Sequence, residues 1–459
     1  MFDHRKLLKT AMKKRRIKLS ATQILAIGFA AIILLGAGLL TLPAASRSGI
    51  SCGFFPALFT ATSATCVTGL VLYDTFTQWS NFGHVVIITL IEIGGLGFMS
   101  AASTFVFLLR RRVGLRQKMV IAQALNLSDM DGVVRIQKLV LKGSLGIQGI
   151  GALILLLRFW PEFGFGRALA WGVFHSISAF CNAGFDLFGA IAPGQSAIIF
   201  NDDPIVCLTL MTLVTIGGLG FLVWEELARV RSFRKFSVYT KLVLLMTAGI
   251  MLVGTGVILA LEWNNPGTLG PMPFWQKLLN AFFQTGTLRT AGFVTLDQLL
   301  LRDATKVFSI LIMFIGGSSG STAGGLKTVT VLVLLMFVWA KARGKERVHV
   351  FKRNIPGQKA VDAMTITFIT VLLSVFGGML ITMVAPVSFL DGWYEAVSAI
   401  CTVGLSAAGT ASLGVVAQSM IIAFMYFGRV GILTLSLGFL MGDQAKDRFQ
   451  YADTNLLIG

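Results

Sequence analysis

The sequence predicts an all-α membrane protein of four tandem helix–pore loop–helix repeats, with eight transmembrane helices and four re-entrant pore helices around one pore. Hydrophobic residues make up 55% of the 459 residues and charged residues 13%, whereas about a quarter of a soluble chain is charged. Weakly charged runs such as 24–42 and 242–261 reach the roughly 20 residues that cross a bilayer as a helix. Four short glycine-ended segments recur at intervals of 115, 108 and 112 residues.

These glycine-ended segments define the repeat. Each follows a brief hydrophobic stretch, and one unit of about 110 residues therefore recurs four times. The segments are 65–69, 180–184, 288–292 and 400–404. This pattern is expected when one polypeptide builds all four walls of a pore, which makes ion conduction the first hypothesis.

Each unit is interpreted as a spanning helix, a half-way helix too short to cross, and a returning helix. The predicted elements are 24–42, 54–65 and 81–107 in the first unit, 134–157, 168–180 and 204–227 in the second, 238–261, 274–288 and 304–340 in the third, and 361–384, 390–400 and 418–441 in the fourth. The predicted organisation is a basic cytoplasmic N-terminus (1–20), repeat 1 (21–115), repeat 2 (130–230), repeat 3 (236–345), repeat 4 (358–442) and a cytoplasmic C-terminal tail (443–459).

The distribution of positive charge predicts the orientation. Of the 39 Lys and Arg residues, 30 lie in five blocks at alternate ends of the hydrophobic hairpins. Short positively charged loops stay in the cytoplasm, so both termini are expected inside a multi-pass protein of the inner (plasma) membrane. The basic loops suit anionic lipid headgroups or an acidic partner. Nucleic acid is not expected as a partner, because the chain has no aromatic platforms or folded basic module.

The glycine-ended segments have the chemistry of an ion filter. Non-helical backbone at membrane depth is tolerated where it lines a water-filled cavity or is buried in protein. Rings of backbone carbonyls replace the water of a cation, and the absence of acids favours a monovalent one. The candidate filter residues are Val67, Thr68, Gly69, Asn182, Ala183, Gly184, Thr290, Ala291, Gly292, Thr402, Val403 and Gly404. Small-residue interfacial turns of an ordinary transporter are the alternative.

Arg289 departs from the other segments, where a cysteine stands at the same place. A charge at this depth is costly unless it is paired or faces water. It either repels cations at the edge of the filter or is tied behind the segment, and we favour the second.

A second glycine pattern occupies the returning helices, at 94–97, 217–220, 316–317 and 428–431. Small residues there let helices pack closely. In the returning helix of the third unit, the pattern is part of a run of ten Gly, Ser, Thr and Ala residues, which is a candidate gate. These are Gly316, Gly317, Ser318, Ser319, Gly320, Ser321, Thr322, Ala323, Gly324 and Gly325. Glycine weakens a helix, so we expect a flexible loop below the filter, with Arg429 and Lys327 at similar depth; a packing kink is the alternative.

These residues carry a resemblance to the Trk/Ktr/HKT superfamily of cation transporters, closest to the Ktr potassium-uptake membrane subunit. The carrying segments are 61–70, 175–180, 182–185, 289–293 and 402–405, with 93–97 and 428–431. The resemblance implies a potassium-selective filter with Gly at position 69, where sodium-carrying plant relatives have Ser. It also implies a structural arginine at 289 and a gating loop faced by Arg429.

The same resemblance implies a homodimer and a separate cytosolic ring of RCK-type nucleotide-binding subunits. The transported ion is then potassium, with sodium as a second ion or a requirement left open. No organic cofactor and no metal beyond an alkali cation is expected, since the chain has no phosphate-binding glycine motif after a strand. Cys66, Cys181 and Cys401 depart from the family pattern. Glu92 and Gln148 stand where Gln and Glu are expected, an exchange that conserves a pair if the two are adjacent.

Two other functions were weighed. A secondary transporter of sodium or another small solute would hold substrate between broken helices, but it predicts inverted repeats, whereas these units all run in one direction. An enzyme is not expected, because no nucleophile–base set is present; His175 and Glu395 are expected to cap or support the filter.

Overall fold

The structure of the chain is a computed structural model that describes residues 21–97, 133–230, 232–345 and 347–431. The predicted basic N-terminus, the predicted returning helix beyond residue 97 and the C-terminal tail lie outside these ranges. The described part is mostly helical, as expected. We group it into unit 1 (21–97), unit 2 (133–229), unit 3 (238–342) and unit 4 (357–431).

Units 1 and 2 each contain a long helix, a short helix and a returning helix. Their bounds are α1 Ala21–Thr41, α2 Phe54–Cys66, α3 Asn81–Leu96, α4 Val133–Phe163, α5 Phe165–Phe180, α6 Pro204–Leu219 and α7 Phe221–Arg229. A further four-residue helix, Thr75–Gln78, lies between α2 and α3.

Units 3 and 4 follow the same order and are joined by a short antiparallel hairpin. Their bounds are α8 Val238–Glu262, α9 Phe274–Thr287, α10 Asp303–Met313, α11 Thr328–Ala342, β1 Val348–Val350, β2 Arg353–Ile355, α12 Gly357–Val384, α13 Phe389–Ile400 and α14 Val415–Tyr426. A π-helical turn, Phe427–Gly431, continues α14.

Local capping chemistry explains where several helices begin. Asp203 precedes α6, and its carboxylate accepts hydrogen bonds from the N–H groups of Ile205 and Val206 at 2.9 and 3.1 Å. Pro204 then occupies the first helical position, where a missing N–H has no cost. Ser237 caps α8 in the same manner, accepting from Thr240 N. Side-chain caps of this kind satisfy donors that the helix leaves unpaired.

The long helices fit the predicted membrane protein. Within the described residues, α1, α4, α8 and α12 are each long and apolar enough to cross a bilayer, and α6 with α7 would be a fifth span bent by 95°. Two returning helices differ from the continuous spans that we predicted, since α3 and α6 end at Leu96 and Leu219. In the third, α10 and α11 are separated by residues 314–327, which include the loop that we expected at 316–325.

The prediction of one continuous helix over 204–227 is wrong at Gly220. Gly97 and Gly220, the last residues of two Gly-Gly-Leu-Gly motifs, have φ of +86° and +89°. A right-handed helix does not continue through such a residue, which is why glycine stands there. The motif that we assigned to helix packing therefore also ends the helix.

In three units, the first glycine of this second pattern allows the returning helix to pack closely. A Cβ on Gly94, Gly217 or Gly428 would overlap a backbone oxygen at the end of the short helix of its own unit. The oxygens belong to Thr65, Phe180 and Ile400, and each of these residues lies four positions before a predicted filter glycine. The returning helices are thus pressed against the bases of the glycine segments.

The four units contact one another in succession, and the fourth returns to the first. α3 contacts α5, α6 contacts α9, α10 contacts α13, and α14 contacts α2. A buried apolar cluster joins Phe59 and Leu70 of unit 1 to Ala396 and Ile421 of unit 4. This closed order brings the four glycine segments together at the centre.

Candidate functional site

The four glycine segments share one backbone conformation. Each short helix is followed by a residue with positive φ, and the glycine two positions later again has positive φ. The pairs are Val67 and Gly69, Asn182 and Gly184, Thr290 and Gly292, and Thr402 and Gly404. Side chains other than glycine rarely adopt these angles, so a fourfold recurrence indicates one structure built four times.

The four glycines form a closed ring. Each lies against the carbonyl oxygen of the residue that precedes the next glycine, and a Cβ added to any of them would come within 3.1 Å of that oxygen. The pairs are Gly69 with Ala183, Gly184 with Ala291, Gly292 with Val403, and Gly404 with Thr68. The structure therefore brings all twelve predicted filter residues to one place.

Hydroxyl groups at the ends of the short helices hold the segments. Ser63 and Ser398 accept hydrogen bonds from the N–H groups of Gly69 and Gly404, both at 3.1 Å. In the other two segments a hydroxyl donates to the carbonyl after the glycine: Ser178 to Phe185 at 2.7 Å, and Thr287 to Phe293 at 2.6 Å. Because the surrounding side chains fix the backbone, its carbonyls need little rearrangement to receive an ion.

Four threonine hydroxyls in these segments are buried without a hydrogen-bond partner: Thr65, Thr68, Thr290 and Thr402. A buried polar group without a partner costs free energy, so such groups in a folded protein call for an explanation. Thr290 and Thr402 occupy equivalent positions, two residues before a glycine. Their oxygens suit a partly dehydrated cation as a ligand.

On one side of the ring, all four glycines line a cavity of about 520 Å³. Asp74, Asp186 and Asp297 also line it. Asp74 accepts hydrogen bonds from Thr77 N at 2.9 Å and Gly194 N at 3.0 Å, so its carboxylate is held in place. Acidic walls around a narrow opening raise the local concentration of cations.

Asp186 lies in the loop after α5, outside the helices that span the membrane. Burial raises the pKa of its carboxyl to about 6, and the neighbouring charge of Asp74 acts in the same direction. Hydrogen bonds from Ser196 and Phe188 N lower the pKa in part. The carboxylate is therefore the form at neutral pH and becomes protonated in mildly acidic solution.

The segment predicted as a gate lies on the other side of the ring. Thr322 Oγ1 donates to Phe180 O at 3.0 Å, and Gly324 packs against Cys401 O and the side chain of Thr402. Thr402 touches this loop while Gly404, two residues on, lines the cavity. The loop and the cavity are thus at opposite ends of the glycine ring.

Two cationic side chains bind the loop. Arg429, in the π-helical turn after α14, donates to Thr322 O at 2.7 Å and to Gly94 O at 2.6 Å. Lys327 Nζ donates to Ala323 O at 2.8 Å. Arg429 therefore joins the loop to the end of the returning helix of unit 1.

Arg289 is buried behind the third segment, 7% exposed. Its Nη2 lies 3.5 Å from Thr247 Oγ1 and 3.4 Å from Gly316 O. This position agrees with the expectation that the arginine is tied behind the segment.

Glu92 and Gln148, which stand where Gln and Glu are expected, are adjacent in the structure. Gln148 Nε2 donates to Glu92 Oε2 at 2.9 Å, and the thiol of Cys181 lies 3.2 Å from the same oxygen. The exchange of Gln and Glu therefore keeps a hydrogen-bonded pair between α3 and α4, and Cys181 joins it.

His175 and Glu395 support the segments, as expected. His175 Nδ1 lies 2.8 Å from Trp171 O, and its Nε2 accepts from Leu187 N at 3.0 Å, so the imidazole links α5 to the loop beyond Gly184. Glu395 on α13 accepts a hydrogen bond from Thr410 in the corresponding loop of unit 4.

Sequence reasoning missed the three acids of the cavity and the contact of Tyr239 with the loop. Asp74 and Asp297 each follow a ring glycine by five residues, a spacing that could have identified them. The contact between Tyr239 and the loop, Oη to Ser319 O at 3.1 Å, joins residues 80 positions apart and left no local signal.

Comparison with known proteins gives a consistent result. The family model described as "TrkH: Cation transport protein" matches residues 2–448. The chain is 38% identical over 456 residues to the potassium/sodium uptake protein NtpJ of Enterococcus hirae, covering 98% of this chain and 100% of that protein. It is 39% identical over 443 residues to the Ktr system potassium uptake protein B of Bacillus subtilis, covering 96% and 98%.

A solved structure shares the fold. The crystal structure of the potassium transporter TrkH from Vibrio parahaemolyticus superposes with a TM-score of 0.70 at 19% identity, covering 94% of this chain and 86% of that one. At this identity the likeness concerns the arrangement of the helices.

Proposed function

Since this chain belongs to the TrkH family of cation transport proteins, we propose that it takes up potassium across the cell membrane through one pore. The observation that carries the proposal is the closed ring of four glycines, each against the carbonyl of the next segment. Such a ring surrounds an ion with backbone oxygens in place of its hydration shell.

The ring suits a monovalent cation. The oxygens that face it come from neutral carbonyls and threonine hydroxyls, and the carboxylates stand in the cavity outside. Fixed carboxylate rings would be expected for a filter that binds more highly charged ions. Potassium is the first candidate because Gly69 keeps the ring complete.

Sodium is the second candidate ion. NtpJ of Enterococcus hirae is named a potassium/sodium uptake protein. In this second version of the proposal, sodium is either transported by this chain or required for its uptake of potassium. Transport of another small solute by alternating access is less well supported, since the four units contact each other in cyclic order.

In this proposal the short helices α2, α5, α9 and α13 are pore helices, and each unit contributes two spans, eight in all. The blocks of Lys and Arg predict that both termini lie in the cytoplasm. The 520 Å³ cavity is then the outer entrance, and the loop 316–325 lies on the cytoplasmic side of the filter.

The loop 316–325 is proposed as an intramembrane gate held by Arg429. It crosses beneath two of the four segments, where Thr322 and Gly324 meet their first residues. Control would come from a separate cytosolic ring of RCK-type nucleotide-binding subunits on a homodimer of this chain. Anionic lipids are a further partner for the basic loops.

The test of the filter is the variant Gly69→Ser. A side chain at Gly69, where φ is +95°, would approach Ala183 O to 2.7 Å, so we expect the preference for potassium over sodium to fall by at least about tenfold. Uptake of rubidium and sodium is measured in cells without their own potassium systems. Gly256→Ser, where an added Cβ meets no atom within 4 Å, is the control; unchanged selectivity in Gly69→Ser would contradict the filter.

A further inference from the structure

The loop 316–325 is anchored on the bent returning helix of unit 2. At Gly220, where α6 turns into α7, an added Cβ would come within 2.6 Å of Ser318 Oγ and 2.8 Å of Ser319 O. One residue later, Phe221 N donates to Gly320 O at 2.9 Å. The start of α7 is therefore in direct contact with the middle of the loop.

A second anchor comes from the first turn of α8. Tyr239 Oη donates to Ser319 O at 3.1 Å. The adjacent carbonyls of Ser319 and Gly320 are thus held by two different helices, α8 and α7. Arg429 holds Thr322 O of the same loop from unit 4.

α7 and α8 are themselves tied together by Glu226. Its carboxylate on α7 accepts hydrogen bonds from Ser237 N at 2.5 Å and Ser237 Oγ at 2.7 Å, and also from the hydroxyl of Thr240. Ser237 is the residue that caps α8, two positions before Tyr239. A change in the distance between α7 and α8 would therefore alter both anchors of the loop.

The connection between these helices carries positive charge. Arg229, Arg234, Lys235 and Lys241 lie within it or at its ends, and Lys241 Nζ donates to Arg234 O at 2.9 Å. A force applied to this connection reaches the loop through Glu226 and Tyr239, without passing through the filter.

We infer that Tyr239 is a positioning residue that holds the loop 316–325 beneath the glycine ring, and that Glu226 braces it. This inference rests on the proposed gate. Breaking the hydroxyl–carbonyl bond favours displacement of the loop and leaves the ring of glycines intact. Tyr239 then sets the resting flux, whereas the selectivity between potassium and sodium stays that of the parent protein.

The test uses the full chain in proteoliposomes, with rubidium uptake measured in the absence of any cytosolic partner. Tyr239→Phe removes a single oxygen, and we expect uptake to rise about fivefold, the change set by one hydrogen bond. Glu226→Gln is expected to raise it less. Tyr426→Phe is the matched control, because its hydroxyl donates to Ala26 O at 2.8 Å without touching the loop.

Deletion of residues 316–325 separates the inference from the gate. If the deletion and Tyr239→Phe alone each raise uptake, and Tyr239→Phe adds nothing to the deletion, Tyr239 acts through the loop. If the deletion raises uptake but Tyr239→Phe alone does not, the gate stands and the role of Tyr239 is refuted. If neither raises uptake, the proposed gate fails and the inference fails with it. An equal rise from Tyr239→Phe with and without the loop also refutes it.

A second measurement does not depend on the folding of the deletion variant. Ser319→Cys keeps the carbonyl that Tyr239 binds and adds a thiol to the loop. We expect Tyr239→Phe to increase about fivefold the rate at which a charged thiol reagent modifies this cysteine, compared with Ser319→Cys that retains Tyr239. Labelling of the protein without Ser319→Cys gives the background from the native cysteines. An unchanged rate would overturn the inference.

Discussion

The glycine ring and the returning helices beneath it are both formed by the same four units. The four contributions are alike in the ring, whereas the four returning helices differ from one another. In the ring, all four segments share the same pair of positive φ angles and the same contact with the next segment. Below it, α3 ends at a glycine, α6 and α7 meet at an angle of 95°, α10 and α11 are separated by a loop, and α14 passes into a π-helical turn. A shell of oxygens needs an equal contribution from every wall, whereas a barrier needs one element that differs from the rest.

Unit 3 departs from the packing that the returning helices share in the other three units. Gly94, Gly217 and Gly428 each press on the end of their own short helix, but a Cβ on the corresponding Gly316 would meet Gly324 and Gly325. The loop has thus taken the place that a returning helix holds in the other units. In the proposed function, the difference in regularity is also a difference in role between filter and gate.

The largest effect is expected where regularity is broken in the ring. A Cβ on Gly404, with φ of +89°, would overlap Thr68 O, so Gly404→Ala should reduce rubidium uptake by more than about tenfold through strain and overlap. Gly38→Ala in α1, where an added Cβ meets no atom within 4 Å, should leave uptake unchanged. Parental uptake in Gly404→Ala would show that the ring is not the passage.

Below the ring, removal of the positive charge of Arg429, which binds the loop, should increase the flux instead of reducing it. Arg429→Gln loses charge-assisted hydrogen bonds to Thr322 O and Gly94 O, so we expect ungated flux in proteoliposomes to rise about tenfold. The control is Arg343→Gln, because Arg343 stacks on Trp339 at the end of α11. A fall in flux would mean that the loop is not a barrier.

A smaller effect is expected in the outer cavity. Because the pKa of Asp186 is raised to about 6, its charge is present above that pH and lost as the outside solution is acidified through it. Uptake from dilute rubidium should then fall about twofold between pH 7 and pH 5. Asp186→Asn should give low uptake at both pH values and should lose this part of the response, while Asp303→Asn, at the exposed start of α10, should behave as the parent.

The smallest effect should come from the exchanged pair. Glu92→Gln replaces a carboxylate acceptor with an amide beside Gln148 and Cys181, and we expect a loss of about 1 kcal/mol in stability, seen as a lower Tm. Adding Gln148→Glu should restore most of it. Failure of the double exchange to restore Tm would mean that the two positions do not act as a pair.

The regular part of the molecule was accessible from the sequence because its constraints are local. The positions of α2, α5, α9 and α13 follow from short apolar stretches before a glycine, and their bounds agree with the predicted ones within three residues. Each segment needs a glycine two positions after a residue with left-handed backbone angles, and this requirement can be recognised in the segment's own sequence. The ring follows once four such segments are recognised.

The irregular part was less accessible because its causes lie far apart in the chain. Gly217-Gly218-Leu219-Gly220 was interpreted as a packing motif inside a helix, but the helix ends at Gly220, which has a positive φ and lies against the loop 316–325. The partners of Arg429 belong to units 1 and 3. Such contacts depend on how the units close, which no local pattern records.

The closed ring is assembled from four different stretches of one polypeptide, not from four copies of a subunit. A codon change at any of these glycines therefore alters one quarter of the proposed ion site and leaves three quarters as they were. Selection is free to adjust the quarters separately, which is consistent with a cysteine before three of them and an arginine before the fourth. Graded, wall-by-wall tuning of selectivity is available to such a protein and denied to a homotetramer.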